Sequence, residues 1–391
     1  MLSGVLESTE PIVLLPKTSK ITDIIQTNFK TRFLTINFNN AGFVKEAGYD
    51  DNDFARRVDL LAKFLKIMVE KYNVSLINMQ ELSSRYMHLE TVRYKILSKL
   101  FEISKSWTAT PPIGRHGDST RCLNLITFWN ADILHLNTLQ NIHFSKSDEM
   151  RDVGDTLCAD KNVFATSNAI LMDMSFTVPI NQNEFHSEGK AVDNSAKVLN
   201  MNVHMPLRGC LKLECMKKIK HVLNNYPNID SYFVSISGDM NLFFDENEHV
   251  DILNVMKEIG TLSATESEHT YTLNTLSGKS RSTTFIGMLY DLKNNMKMNI
   301  DKESFEIWIE GNSNAILKTF NKRIGPLDWF IFKNRYWCES IETKVIDIND
   351  LIQLGFDLPK IESEDLPDYG NYITDHLPLI TTIIFSRENI N

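Results

Sequence analysis

The feature that most limits how this chain can fold is the run KVLNMNVH at residues 197–204. Leu199, Met201 and Val203 alternate with Asn200, Asn202 and His204. That is the period of a strand with one apolar face, and a helix would scatter the same residues around its circumference. The next segment changes period. Leu213, Met216, Ile219 and Leu223 step by three and four, with Lys212, Lys217, Lys218 and Lys220 on the other side, which predicts an amphipathic helix. A buried strand, SYFVSIS, then runs straight into Gly238-Asp239-Met240-Asn241.

The rest of the chain repeats this alternation. TRFLTINF, at residues 31–38, reads as a strand with Leu34, Ile36 and Phe38 on one face. A polar loop follows, and from Phe54 the residues Val58, Leu61, Leu65, Met68 and Tyr72 draw a helical stripe. VSLINMQE, LNLITFWN, PLDWFIFK and LPLITTIIF read as further strands. The polar stretches at about 141–197, apart from NAILMDM, and 273–324 read as long loops or insertions. No repeat or low-complexity linker divides the chain, so we expect an N-terminal extension over 1–30 and one domain over 31–391. Periodicity alone leaves any layered α/β or α+β domain open.

Several strands end in residues able to do chemistry: Asn37, Gln80-Glu81, His204, Asp239 with Asn241, Asp328 at a strand start, and Asp375-His376. Singly, each has an ordinary reading as turn chemistry or a solvated strand end. Together they look like a site, because loops at the ends of rigid strands collect function. Oxygen donors such as Asn37, Glu81 and Asp375 suit Mg2+ or Mn2+, and the His/Cys clusters that favour zinc are missing from the pattern.

Composition narrows the partners. A net charge of −9 argues against strong non-specific duplex binding, which depends on Lys and Arg neutralising phosphates. A basic cleft or a bound cation can still serve a nucleic-acid substrate. The five cysteines are odd in number and scattered, so they read as reduced structural thiols. No apolar run approaches the ~18 residues of a spanning helix, and the N-terminus is a poor signal peptide. The expectation is a soluble protein of a reducing compartment, cytoplasm or nucleus.

TINFNNAG, NMQEL, NVHMP, SGDMNLFFD, PLDWFIF and TDHLPL occur in the order seen in the endonuclease/exonuclease/phosphatase (DNase I-like) superfamily, which this chain resembles over roughly residues 31–385. SGDMNLFFD is also similar to the tyrosyl-DNA phosphodiesterase branch. The resemblance implies an α+β, four-layer αββα sandwich: two mixed sheets face to face, flanked by helices, with the site at one end. It implies a metal-dependent hydrolase of phosphodiesters. Glu81 would be the principal metal ligand, with Asn37 beside it and Asp375 close by. Asp239 would orient or deprotonate the attacking water, and Asn241 would hold that group and a phosphate oxygen. His376, paired with Asp328, and His204 from the other side would stabilise the developing charge. Some relatives pair the equivalent of His204 with a second Glu; here Glu90 and Glu149 are the conceivable ones. Ile36 stands where the family often has Trp.

Arg208, four residues after His204, is a candidate phosphate contact, as are Arg115 and Arg121. Trp107, Trp129 and Phe243 fit either base stacking or the core, and core is the favoured reading. The leading function is a nuclease or nucleic-acid phosphodiesterase. A phosphoinositide phosphatase or sphingomyelinase-like lipid phosphodiesterase stays open, although no polybasic cluster of the kind anionic membranes attract is present. A non-catalytic binding protein is disfavoured by the intact set of acidic, amide and imidazole residues.

Overall fold

The computed structural model describes residues 29–38, 51–82, 86–113, 124–144, 168–177, 196–206, 209–242, 249–262, 328–333, 338–346, 353–355 and 378–385. Two strand–helix–strand units set the plan. The first runs from β1 (Phe29–Asn37) through α1 (Asp51–Tyr72) to β2 (Val74–Leu82), and its two strands are parallel. The second runs from β7 (Lys197–His204) through α3 (Gly209–Asn224) to β8 (Tyr232–Asp239), again parallel. Parallel neighbours need such a crossover, and it brings both strands' C-terminal ends to one edge. Asn37 and Glu81 lie at that edge of one unit, His204 and Asp239 at that edge of the other.

The remaining elements extend these units into two sheets. They are α2 (Tyr86–Leu100), β3 (Trp107–Ala109), β4 (Asn124–Asn130), β5 (Leu134–His143), β6 (Asn168–Phe176), α4 (His249–Ile259), β9 (Thr261–Leu262), β10 (Asp328–Lys333), β11 (Cys338–Val345) and β12 (Leu379–Phe385). One six-stranded sheet has the order β11-β12-β1-β2-β4-β3, the other β5-β6-β7-β8-β10-β9. Both are mixed. The expected αββα sandwich is the observed fold. β6 lies inside the stretch read as polar, and its NAILMDM pairs with both β5 and β7.

The alternation along each strand sorts residues between two cores. On the outer face of the second sheet, Leu199, Met201, Val203, Val234 and Ile236 pack with Met216, Ile219 and Leu223 of α3 and Ile252 and Met256 of α4. Each such side chain, fully buried, contributes roughly 1.5–3 kcal/mol. On the first sheet α1 packs against β2 and α2, and Val58, Leu61, Leu65 and Met68 are all buried as the stripe predicted. Phe54 belongs to α1, but its side chain lies outside the described residues. Between the sheets, away from the site, Phe33, Leu76, Trp129, Phe233, Phe330 and Ile383 form an apolar cluster. Trp107 and Trp129 are therefore core residues rather than base platforms; Phe243 lies outside the described residues. No described helix is long and apolar enough to cross a membrane.

Toward the site the inter-sheet face turns polar. Asn78 Nδ2 donates to Asn200 Oδ1 at 3.1 Å and to Ser237 Oγ at 2.8 Å, and Gln80 Nε2 donates to Asn202 Oδ1 at 2.7 Å. These side chains are fully buried. The polar half of each alternating strand thus faces the opposite sheet, where amides and hydroxyls satisfy one another.

Gly238 fixes the spacing of β7 and β8. A Cβ there would sit 1.9 Å from the Val203 carbonyl oxygen, and its φ of +144° is one that side-chain-bearing residues avoid. Gly238→Ala is expected to lower stability by at least about 3 kcal/mol, read as a fall in the denaturation midpoint. A wild-type midpoint would show that the strands part without cost.

Candidate functional site

Each functional side chain is delivered by a local backbone device. Regular alternation aims Asn37, His204 and Asp239 between the sheets, as it does Gln80 one residue before Glu81. Glu81 would then point outward. Instead β2 carries one extra residue against β4: Met79 pairs with Ile126, but the next pair is Leu82 with Asn124. Glu81 takes φ +55° in this bulge. Such bulges re-aim a side chain, often beside a functional site. The carboxylate turns to the second sheet, where Glu81 Oε1 lies 3.2 Å from His204 Nε2. Asn241, also in the left-handed region at φ +48°, closes the turn after β8.

Asp239 is the hub. Its Oδ1 accepts the Asn241 backbone N–H at 2.8 Å, and its Oδ2 accepts from Asn37 Nδ2 at 2.8 Å. The same Oδ2 lies 3.6 Å from His204 Nε2. Asn241 Nδ2 donates to the Met205 carbonyl at 2.8 Å and stands 3.3 Å from His204 Nε2. The Met205 N–H donates in turn to the Asp239 carbonyl at 2.8 Å, tying the ends of β7 and β8 together. Lys212, buried in the first turn of α3, donates to the Asn241 carbonyl from below. Asp239 is 1% exposed, so this carboxylate is held by directional bonds and not by water.

Asp328 opens β10 directly opposite Asp239 in the antiparallel pair and is buried. Asp375, His376 and Arg208 lie outside the described residues, as do Arg115, Arg121 and Glu149. Glu90 is not the second partner of His204: it pairs with Arg93 at 3.3 Å on α2. The His204 Nδ1 is buried with no hydrogen-bond partner among the described residues. Two contributors are not marked in the sequence. The helical stripe predicts an outward Lys212, yet it lies beneath the turn. The bulge at Glu81 carries no Gly or Pro to announce it.

Burial pulls the His204 pKa down, but the hydrogen bonds and charges of Asp239 and Glu81 outweigh it and hold the imidazole at about 9, above its ordinary 6.5. Protonation therefore stabilises the metal-free fold fully below about pH 6.5 and is lost as pH rises through about 9. Thermal midpoints of metal-free protein should fall across that window, and His204→Gln should flatten the slope. An unchanged slope in the variant would place the titration elsewhere.

The donor set also fits a divalent cation. Glu81, His204 and Asp239 each offer one ligand atom, all within 4.8 Å of one another. Two carboxylates supply hard oxygen, and Asn37 adds an amide beside them. A cation drawn to these carboxylates competes with the imidazolium, so binding should strengthen with pH.

No family model and no curated protein sequence matches this chain. Solved structures do. The chain is similar to an endonuclease/exonuclease/phosphatase family protein from Bacteroides thetaiotaomicron, with 11% identity, a TM-score of 0.48, and 92% of this chain and 99% of that one covered. It is similar to D. rerio TDP2 complexed with a single-strand DNA product, at 11% identity, a TM-score of 0.45, and 90% and 98% coverage. The human Nocturnin catalytic domain with a bound sulfate anion matches at 11% identity and a TM-score of 0.44, over 93% of this chain and 97% of that one.

Proposed function

We propose that this chain is a metal-dependent phosphodiester hydrolase acting on nucleic acid. The observation that carries the reading is the meeting of Glu81 from one sheet with His204 and Asp239 from the other, their ligand atoms within 4.8 Å. Residues from strands far apart in sequence rarely collect acid, amide and imidazole at a single strand edge unless chemistry requires it.

Glu81, with Asn37 and Asp375, would hold Mg2+ or Mn2+, which as a Lewis acid neutralises charge on the phosphate. Asp239 would take a proton from the attacking water as the new P–O bond forms and the P–O bond in line with it breaks, the leaving oxygen departing with the electron pair. Its carboxylate needs no unusual basicity, because Asn37 and the Asn241 N–H fix its orientation. Asn241 and His204 present N–H groups toward the non-bridging oxygens, where negative charge grows in the transition state. His376, with Asp328 as its partner, would add a further donor to the phosphate, and Arg208 would bind a flanking phosphate; His376 and Arg208 both lie outside the described residues.

The test is turnover of plasmid, single-stranded DNA, RNA, a 5′-tyrosyl oligonucleotide, phosphoinositides and sphingomyelin with Mg2+ or Mn2+. EDTA and Asp239→Ala serve as controls. We expect at least one nucleic-acid substrate to be cleaved and both controls to abolish cleavage. Turnover confined to lipids would reassign the substrate class, and turnover in EDTA would remove the metal.

A further inference from the structure

We infer that Asn202 is a positioning residue for Glu81, acting across the sandwich by bracing the β2 bulge; the inference rests on the proposed metal site. A bulge that turns a carboxylate inward must itself be held, because the extra residue interrupts the β2–β4 ladder and the positive φ of Glu81 is strained. Met79 and Ile126 are the last regular pair before the slip. Their carbonyl oxygens are the ones that Asn202, on the opposite sheet, reaches. Asn202 Nδ2 lies 3.2 Å from Met79 O and 3.1 Å from Ile126 O, and 3.1 Å from Thr127 Oγ1.

The other end of the same amide completes the brace. Asn202 Oδ1 accepts Gln80 Nε2 at 2.7 Å, and Gln80 also donates to Thr35 Oγ1 at 3.0 Å. Gln80 is the residue immediately before Glu81, and its carbonyl accepts the Phe38 N–H at 3.0 Å. One side chain therefore bonds both strands of the interrupted pair and the residue that leads into the bend. Asn202 is fully buried, and losing it removes its bonds to these carbonyls and leaves one Gln80 amide N–H without its acceptor in a dry interface. His204 follows two residues later on the same strand, so one strand carries both the brace for Glu81 and Glu81's imidazole partner.

A neighbouring amide supplies the control. Asn200 is equally buried and exchanges hydrogen bonds with Asn78 at 3.1 Å in both directions, but it makes no hydrogen bond to the Met79 or Ile126 carbonyls. Asn202→Leu and Asn200→Leu both remove a buried amide from the same interface. Two readouts are taken where both variants are folded: Mn2+ affinity by calorimetry, and amide hydrogen exchange at Glu81 and Leu82 without metal. For Asn202→Leu we expect at least about tenfold weaker Mn2+ binding and about tenfold faster exchange at those two amides, with Asn200→Leu near wild type in both. If the two variants behave alike, or if Asn202→Leu keeps wild-type exchange, the brace is refuted and Asn202 is ordinary interface packing. If wild-type protein fails to bind Mn2+, the hydrolase reading falls, while the exchange comparison still decides whether Asn202 holds the bulge. Should Asn202→Leu not fold, Asn202→Ser, which keeps one donor, is compared with Asn200→Ser by the same criteria.

Discussion

Asparagine in place of Asp239 lowers kcat by about 10³-fold or more while the protein still folds. The substitution preserves shape, so the new Oδ1 still accepts the Asn241 N–H that closes the turn. What disappears is the proton acceptor. The new Nδ2 also faces the Nδ2 of Asn37, a donor against a donor where the wild type has a 2.8 Å bond. That clash should cost about 1–3 kcal/mol of stability, which a melting curve measures separately from kinetics. Asp239→Ala is the blunter variant, because it also strands the Asn241 N–H. The informative split is between kcat and KM: a loss confined to kcat assigns Asp239 to the transition state, whereas a loss confined to KM makes it a substrate-holding group. Full activity in Asp239→Asn would remove it from the mechanism.

Glu81→Gln should weaken metal binding by about 100-fold or more, and without metal it should also lose the part of the fold's stability that protonated His204 draws from the Glu81 carboxylate. The amide keeps the length of the side chain and can still accept from His204, but it no longer offers charge to a cation. Wild-type protein with metal at a hundred times its Kd gains about 2.7 kcal/mol of stability, and the variant at the same concentration should gain almost none. Activity should then return partly as metal is raised, since affinity and not chemistry was damaged. An equal metal-induced stabilisation in both proteins would show that the cation sits elsewhere.

Much of this arrangement is legible in the chain itself because it follows from strand periodicity. Asn200, Asn202 and His204 share a face in any strand, and so do Ser235, Ser237 and Asp239. Their position at C-terminal ends follows once each pair of strands is joined by a helix. What periodicity cannot show is where the polar face goes. Period two separates polar from apolar, and the ordinary expectation is that polar means solvent. Here the outer face is the apolar one, covered by α3 and α4, and the amides face inward.

Three other features are hidden in the sequence, each for a different reason. The bulge at Glu81 arises from pairing with β4, a residue-count mismatch between strands over forty positions apart, and no local residue marks it. The helix α2 has a weak stripe, Val92, Ile96 and Leu100, and its exposed face carries Tyr94, so its periodicity is easily lost. Lys212 shows the limit of charge as a guide: it sits among outward lysines in sequence, yet it is 1% exposed.

The polar seam between the sheets has a mechanical consequence. Apolar faces can glide over one another with little penalty, because dispersion contacts lack direction. Amide pairs cannot, since a step of one residue turns each partner to the wrong side and leaves its mate unpaired. The sandwich is therefore keyed at the end where Asn37 meets Asp239 and Glu81 meets His204, and only its far, greasy end is free to repack. Substitutions accumulating at that far end can change bulk and stability while the two halves of the reaction centre stay in alignment.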